Sequence, residues 1–399
     1  MNTSLFRALV FSAAATAMSA SDPLATALEK GQPTLNIRTR YEDVSQTGLK
    51  DATAITLRAR LGYTTGKVNG FQGHIDVEHI TAYDSDKYNQ AGLNPGGAGR
   101  AVIADPEDTE INQAYLSYTH EKTTFTAGRQ RFVLDNVRFI GDVGWRQNQQ
   151  TFDAFVVQDQ SIDNLKLTYA YLHQINRIFG EDHPAGRWDS DSHLINVNNG
   201  GLSFGTLTGY AYLLDFDNAT ANSTATYGIS LDGNRTLTDE LKLTYRAEFA
   251  QQSDYGSSPL KYDTEYFAIS AGLSGAPGSV TLTHETLGSD NGVGFKTPLA
   301  TLHAFNGWAD QFLGTPGDGL RDTSIKLATK LPAKIGLTAV YHHYETVRSN
   351  RDLGREWNIV LARPFTPQIK GLIKFADFVS ANSSKPDVCK VWVQVEFNL

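Results

Sequence analysis

Apolar and polar side chains alternate with a period of two along most of this sequence. Residues 35–44 set Leu35, Ile37, Thr39 and Tyr41 on one face and Asn36, Arg38, Arg40 and Glu42 on the other. Residues 55–64 repeat the arrangement, with Ile55, Leu57, Ala59, Leu61 and Tyr63 against Thr56, Arg58, Arg60 and Thr64. Phe71, Ile75 and Val77 then oppose Gln72, His74, Asp76 and Glu78, and Leu241, Leu243, Tyr245, Ala247 and Phe249 oppose Lys242, Thr244, Arg246 and Glu248. At the end of the chain Val391, Val393, Val395, Phe397 and Leu399 oppose Lys390, Trp392, Gln394, Glu396 and Asn398. A repeat of 180° per residue predicts strands with two unlike faces, not helices. Continued along the chain, it predicts about eighteen strands of roughly ten residues each.

A β-sandwich would alternate in the same way, so the connections have to separate the architectures. Short turns are expected at 66–70, 121–122, 159–163, 200–202, 236–239, 274–277, 332–334 and 363–366. Between them fall the longer connections 45–52, 84–110, 132–150, 175–192, 217–224, 252–261, 287–321, 347–354 and 380–386. A sandwich gives no reason for this regular exchange. An all-β, transmembrane up-and-down antiparallel barrel does, with short periplasmic turns and long extracellular loops. Closure also removes the edge strands that an open sheet of this size would expose. An even strand count puts both termini on the periplasmic side, and the apolar alternation that runs to the last residue suits a terminal barrel strand, although that residue is Leu399 rather than Phe.

Composition changes the picture at three points. The chain has 399 residues, 40 % hydrophobic and 11 % aromatic, with a mean hydropathy of −0.32 and no apolar run of spanning length after the N-terminus. A helical membrane protein is excluded, and a barrel whose polar lumen lowers the average is not. Residues 1–20 carry one charge, Arg7, before the small apolar run Ala8 to Ala17; this predicts a secretory signal peptide over 1–20 and a barrel over 21–399. A net charge of −8 speaks against a nucleic-acid partner, and the lone Cys389 leaves no disulfide framework or cysteine metal site. The expected location is the outer membrane of a Gram-negative bacterium, with membrane lipid around the barrel.

If the apolar face meets lipid, Arg38, Arg40, Arg58 and Arg60 turn into the lumen from neighbouring strands and form one cationic patch. Asp76 and Glu78 on the third strand are their expected partners. Such a wall is open to two readings, a stiffening Arg–carboxylate ladder or an anion-attracting path. Further round, Arg129, Arg131, Arg246, Lys242, Lys326, Lys374 and Lys390 are interleaved with Glu248, Asp377 and Glu396.

Three segments resemble one family closely: YNQAGLNPGGAGRAVIADPEDTEINQAYLSY (88–118), GRQRFVLDNVRFIGDVGWRQNQQTFDAF (128–155) and FKTPLATLHAFNGWADQFLGTPGDGLRD (295–322). With RTRYE (38–42) and TLRARLGY (56–63), they are similar to the alginate-export family of outer-membrane porins across nearly the whole mature chain. The resemblance implies an eighteen-stranded monomeric barrel with an arginine-lined conduit. It does not fix the solute, because relatives that import sugars or other small molecules are also expected.

The loops themselves suggest roles. Residues 132–150 gather Asp135, Asn136, Arg138, Asp142, Trp145, Arg146, Gln147 and Asn148, with Gly141 and Gly144 for tight turns, as a loop folded inward into a constriction would. Residues 287–321 hold His303, Asn306, Trp308 and Asp310 between two Thr-Pro pairs. A Trp beside amide and carboxylate groups suits a saccharide, so Trp145, His303, Asn306, Trp308 and Asp310 are candidate sugar contacts; packing of the loop on its own aromatics is the plainer alternative.

No GxSxG, HExxH or GxxxxGK[ST] string occurs, and neither DVEH at 76–79 nor His342–His343 has a metal spacing. No cofactor is expected; Ca²⁺ in the acidic loop residues Asp84, Asp86, Asp105, Glu107 and Asp108 has no support beyond their charge. Three functions follow: a passive channel for anionic saccharides or other small anions, a polysaccharide export conduit that would need periplasmic partners, and, less favoured, an outer-membrane enzyme.

Overall fold

The computed structural model describes residues 23–383 and 385–399; the expected signal peptide over 1–20 lies outside the described residues. After a short helix, Pro23–Glu29, the chain forms β1 (Gln32–Gln46), β2 (Ala52–Thr64), β3 (Phe71–Ala82), β4 (Asp108–His120), β5 (Thr123–Gln130), β6 (Thr151–Asp159) and β7 (Leu165–Asn176). Next come β8 (Arg187–Leu202), β9 (Gly205–Leu214), β10 (Thr224–Thr238), β11 (Leu241–Asp254), β12 (Asp263–Gly275) and β13 (Gly278–Leu287). A two-residue hairpin, β14 (Ser289–Asp290) and β15 (Val293–Gly294), sits inside the following loop. The circuit ends with β16 (Leu320–Leu331), β17 (Ile335–Glu345), β18 (Asp352–Pro364), β19 (Ile369–Ser380) and β20 (Val388–Asn398). Eighteen of these strands make one antiparallel sheet in which β1 pairs with both β2 and β20, so the sheet closes into a barrel. Every other connection is short, as the sequence rhythm predicts, except that the first outer connection, 47–51, is no longer than the turn 65–70 that follows it.

Burial is inverted relative to a water-soluble protein. Ile55, Leu61, Phe71 and Val395 are 44 to 48 % exposed, whereas Arg40, Glu42 and Glu78 have no exposure at all. An apolar outer band with polar groups inside is stable only where hydrocarbon surrounds the barrel. The chain is therefore an outer-membrane barrel.

Strand ends differ from expectation in one region. The connection expected at 175–192 is only 177–186, because β8 begins at Arg187. Trp188, Ser190 and Ser192 alternate inward with Asp189 and Asp191 outward. Here the strand rises above the lipid, its outward residues become polar, and the hydropathy signal vanishes while the pairing continues. Asp377, expected in the lumen, instead pairs across the sheet with outward-facing Trp357. It lies an odd number of residues from Lys374, which faces inward, and so falls on the opposite face.

Two loops fold into the barrel, 131–150 after β5 and 295–319 before β16, and give its interior a packed core. Phe139 is the centre of that core, with ring centroids 5.3 Å from Tyr210, 6.1 Å from Tyr212, 5.4 Å from Tyr266 and 6.0 Å from Phe295. The loops are joined by backbone bonds from Gly141 N to Leu299 O (2.8 Å) and Thr301 N to Val137 O (3.1 Å). At Gly141 any Cβ would overlap the backbone and side chain of Thr301, so only glycine permits this approach.

Candidate functional site: the lumen plug and its cationic wall

Register brings the expected arginines together. Arg38 lies directly opposite Arg58 across β1 and β2, and opposite Glu396 across β1 and β20. Two guanidiniums facing each other repel unless something stands between them, and the inward loop supplies it. Arg38 Nη1 donates to the carbonyls of Gly144 and Arg146, each at 3.1 Å, and Arg40 Nη2 donates to that of Trp145 at 2.5 Å. Arg58 Nη1 donates to the Gln147 carbonyl at 3.0 Å. Four consecutive peptide oxygens thus dock on three arginines, and Gln147 and Asn148 at the tip are completely buried.

Carboxylates take the remaining charge unevenly. Glu78 receives Arg60 (Nε at 2.9 Å), Asp105 receives Arg40 (3.3 Å), and Glu396 lies 3.5 Å from Arg38. Asp76 has other partners: His74 at 3.0 Å and the amides of Asn112 and Gln113, each at 2.7 Å. Arg129, expected in the lumen, lies four residues from outward-facing Phe125 and so falls on the outer face, where Asp153 holds it; Arg131 is held by Asp142 in the loop, and Arg246 by Asp232 and Glu248. Among the described residues, neither Arg58 nor Lys374 has a carboxylate oxygen within 4 Å.

Arg138 and Arg146 carry the 131–150 loop to separate walls. Arg138 forms a two-pronged bond to Glu285 of β13 (2.8 and 3.2 Å) and also reaches Asn306 Oδ1 at 3.0 Å. Arg146 reaches Glu42 of β1 at 3.2 Å and Asp310 of the second loop at 3.2 Å. Asp310 also receives Lys390 of β20 and His303, both at 2.7 Å. Burial alone would raise the Asp310 carboxyl, but His303, Lys390 and Arg146 together hold it well below the usual carboxylate range. Burial lowers the His303 imidazole to about 3, so at neutral pH it is uncharged. Its Nε2 accepts from Lys374 Nζ at 2.7 Å, which leaves the proton on Nδ1, donated to Asp310.

The candidate sugar contacts lie close together, engaged with protein groups. Trp145 stacks on His303 (centroids 4.9 Å apart, planes 7° apart), with the Arg40 guanidinium 4.2 Å over its ring. Lys374 Nζ sits 3.9 Å from the ring centroids of both Trp145 and Trp308. Asn306 is turned away to Glu285 and Asp322. Sequence reasoning singled out neither Glu42, Glu285, Asp322 nor Glu356 as a site residue. All four occupy inward alternating positions, and Glu356 accepts from the Ala309 amide at 2.8 Å. Inwardness was legible at those positions; the loop each would hold was not. Of the acidic loop residues, Asp105 turns inward to Arg40, and the described residues contain no group of three or more potential metal ligands.

Comparison with known proteins bears on the fold. No curated protein sequence matches the chain. Acinetobacter baumannii OccAB4 is similar in structure, with a TM-score of 0.75 at 12 % identity over 93 % of this chain and 98 % of that one. Pseudomonas aeruginosa OpdK, solved with vanillate, gives 0.73 at 14 % over 93 % and 99 %, and Pseudomonas aeruginosa OccD3 gives 0.69 at 16 % over 93 % and 92 %. At such identities the likeness concerns the fold, that of OprD/Occ outer-membrane channels. The third loop motif, 295–322, falls beyond the stretch that a family model recognises. Over residues 33–170 the chain matches the alginate-export family, and it carries that sequence within an eighteen-stranded outer-membrane channel fold.

Proposed function

We propose that this protein is a passive outer-membrane channel for small anionic solutes, anionic saccharides among them, with the passage running along the arginine wall of β1 and β2 and narrowed by the two inward loops. The observation that carries this reading is the charge balance where loops and wall meet. Arg38, Arg40, Arg60, Arg146 and Lys390 pair with Glu396, Asp105, Glu78, Glu42 and Asp310, whereas Arg58 and Lys374 face the same seam with no carboxylate oxygen within 4 Å among the described residues. Arg58 and Lys374 are the uncompensated members. An ion's preference for a pore is set by charges within about 8–10 Å of its path at ordinary salt, so this excess outweighs the acidic outer loops. The vanillate in the OpdK structure supports a small organic solute for a barrel of this kind. In the docked arrangement Trp145 and Trp308 clasp Lys374, and a saccharide meets their faces only when the 295–319 loop moves off that lysine.

Reversal potentials in planar bilayers test the reading. Anion preference is expected at moderate salt, fading at high salt, and reduced in Arg58→Ala. Cation preference that Arg58→Ala leaves unaltered would reduce the arginines to anchors for the loop. The alginate-export match favours a second reading, a polymer conduit. It requires both loops to leave the lumen together, and a polyuronate added on the periplasmic side would then block current for long, length-dependent intervals.

A further inference from the structure

The outer mouth holds a second cationic feature, separate from the arginine wall. A cavity of about 440 Å³ lies between the loops that follow β7, β9, β11 and β13, and it is lined by Arg177, Trp188, Lys296 and Thr297 with Leu260 and Leu302 among the apolar groups. The Arg177 guanidinium lies 4.0 Å over the Trp188 ring and 5.0 Å from that of Phe179. Among the described residues, of its side-chain donors only Nη1 is used, by the Ala185 carbonyl at 3.3 Å. Neither Arg177 nor Lys296 has an ion-pair partner among the described residues. On these loops Glu181 pairs with Arg187, Asp254 with Lys261 and Asp290 with Arg348. Burial pulls the Arg177 guanidinium down to about 10 and lowers the Lys296 ammonium, with no anion to offset it in either case.

Partly buried cations without a partner are costly to hold, and an arriving anion removes that cost. The walls add a chemical preference. Leu260, Leu302 and the Trp188 indole offer apolar surface beside the two charges, and they suit a ligand with a hydrocarbon body better than one covered in hydroxyls. We infer that this mouth cavity is a capture site for a small organic anion with an apolar body, held by Arg177 and Lys296 before it enters the lumen. The inference rests on the anion-channel reading and deepens it by adding a loading site and a preference within the anions.

Titration calorimetry on the full-length barrel in detergent tests it, with benzoate as the probe, benzyl alcohol as its neutral counterpart and glucuronate as a hydroxylated carboxylate. Benzoate is expected to bind in preference to both, and Arg177→Gln or Lys296→Gln to weaken it by about tenfold, as the loss of one charge-assisted contact does. Equal binding of benzoate and benzyl alcohol, tighter binding of glucuronate, or benzoate affinity unaltered in both variants would overturn it. Should Arg177→Gln lose its folded mobility on unboiled gels, Lys296→Gln and competition by added chloride answer the same question. Binding here is read without current, whereas lumen selectivity is read from reversal potentials, so failure of one reading is distinguishable from failure of the other.

Discussion

At the scale of single residues, Asp310 is the group on which the inward loops most depend. Its two oxygens take Lys390 from the wall, Arg146 from the other loop and His303 from its own. Removing one member of a buried charge cluster costs about 3–5 kcal/mol, because the others are left unpaired. Asp310→Asn is therefore expected to release the 295–319 loop and raise single-channel conductance while the barrel keeps its heat-modifiable gel mobility. His303 adds a pH dependence whose sign follows from its lowered pKa. Between pH 6.5 and about 3 the docked imidazole stays neutral while a released one takes up a proton, so docking weakens by about 1.4 kcal/mol per pH unit on acidification. The contribution of Asp310 is lost only below the ordinary carboxylate range, so that carboxylate adds nothing to the change between pH 7 and pH 5. Conductance should rise from pH 7 to pH 5, and His303→Gln should flatten that rise. The groups around the imidazole are Asp310, Lys374, Trp145 and Trp392, with Arg146 nearby.

At the scale of elements, the loops behave as one body because their backbones touch. Gly141→Val would drive a side chain into Thr301, and Gly307, at φ 88° against Glu356 and Tyr344, tolerates a side chain no better. Gly141→Val is expected to undock both loops together, giving a conductance increase at least as large as that of Asp310→Asn, measured in the same bilayers. The strands were readable in the sequence because lipid on one side and polar contacts on the other impose a period of two, residue by residue. That period fails in β8 at Asp189–Ser192, where water replaces lipid. The inward folding of 132–150 was also readable, from its density of amides and charges. Its partners were not: Arg138 meets Glu285 across 147 residues of sequence, and nothing local in either segment points to the other. The β14–β15 hairpin is too short to carry any pattern.

At the scale of the whole molecule, closure of the sheet predicts a strand-dominated circular-dichroism spectrum and heat-modifiable migration on unboiled gels; a helix-rich spectrum would contradict the architecture. The path of one loop has a further consequence. Residues 131–150 leave β5 and tie to Glu42 of β1 through Arg146, to Asn196 of β8 through Asp135 (2.7 Å), and to Glu285 of β13 through Arg138. Those three anchors lie well apart around the circuit of strands. A cylinder made only of sheet resists flattening weakly, since bending strands past one another stretches few bonds, but a cylinder triangulated from within cannot become oval without breaking a tie. Widening the passage and softening the cross-section should therefore be one event: a variant that conducts more should also exchange amide hydrogens faster along β8 and β9, on a part of the wall far from the arginines.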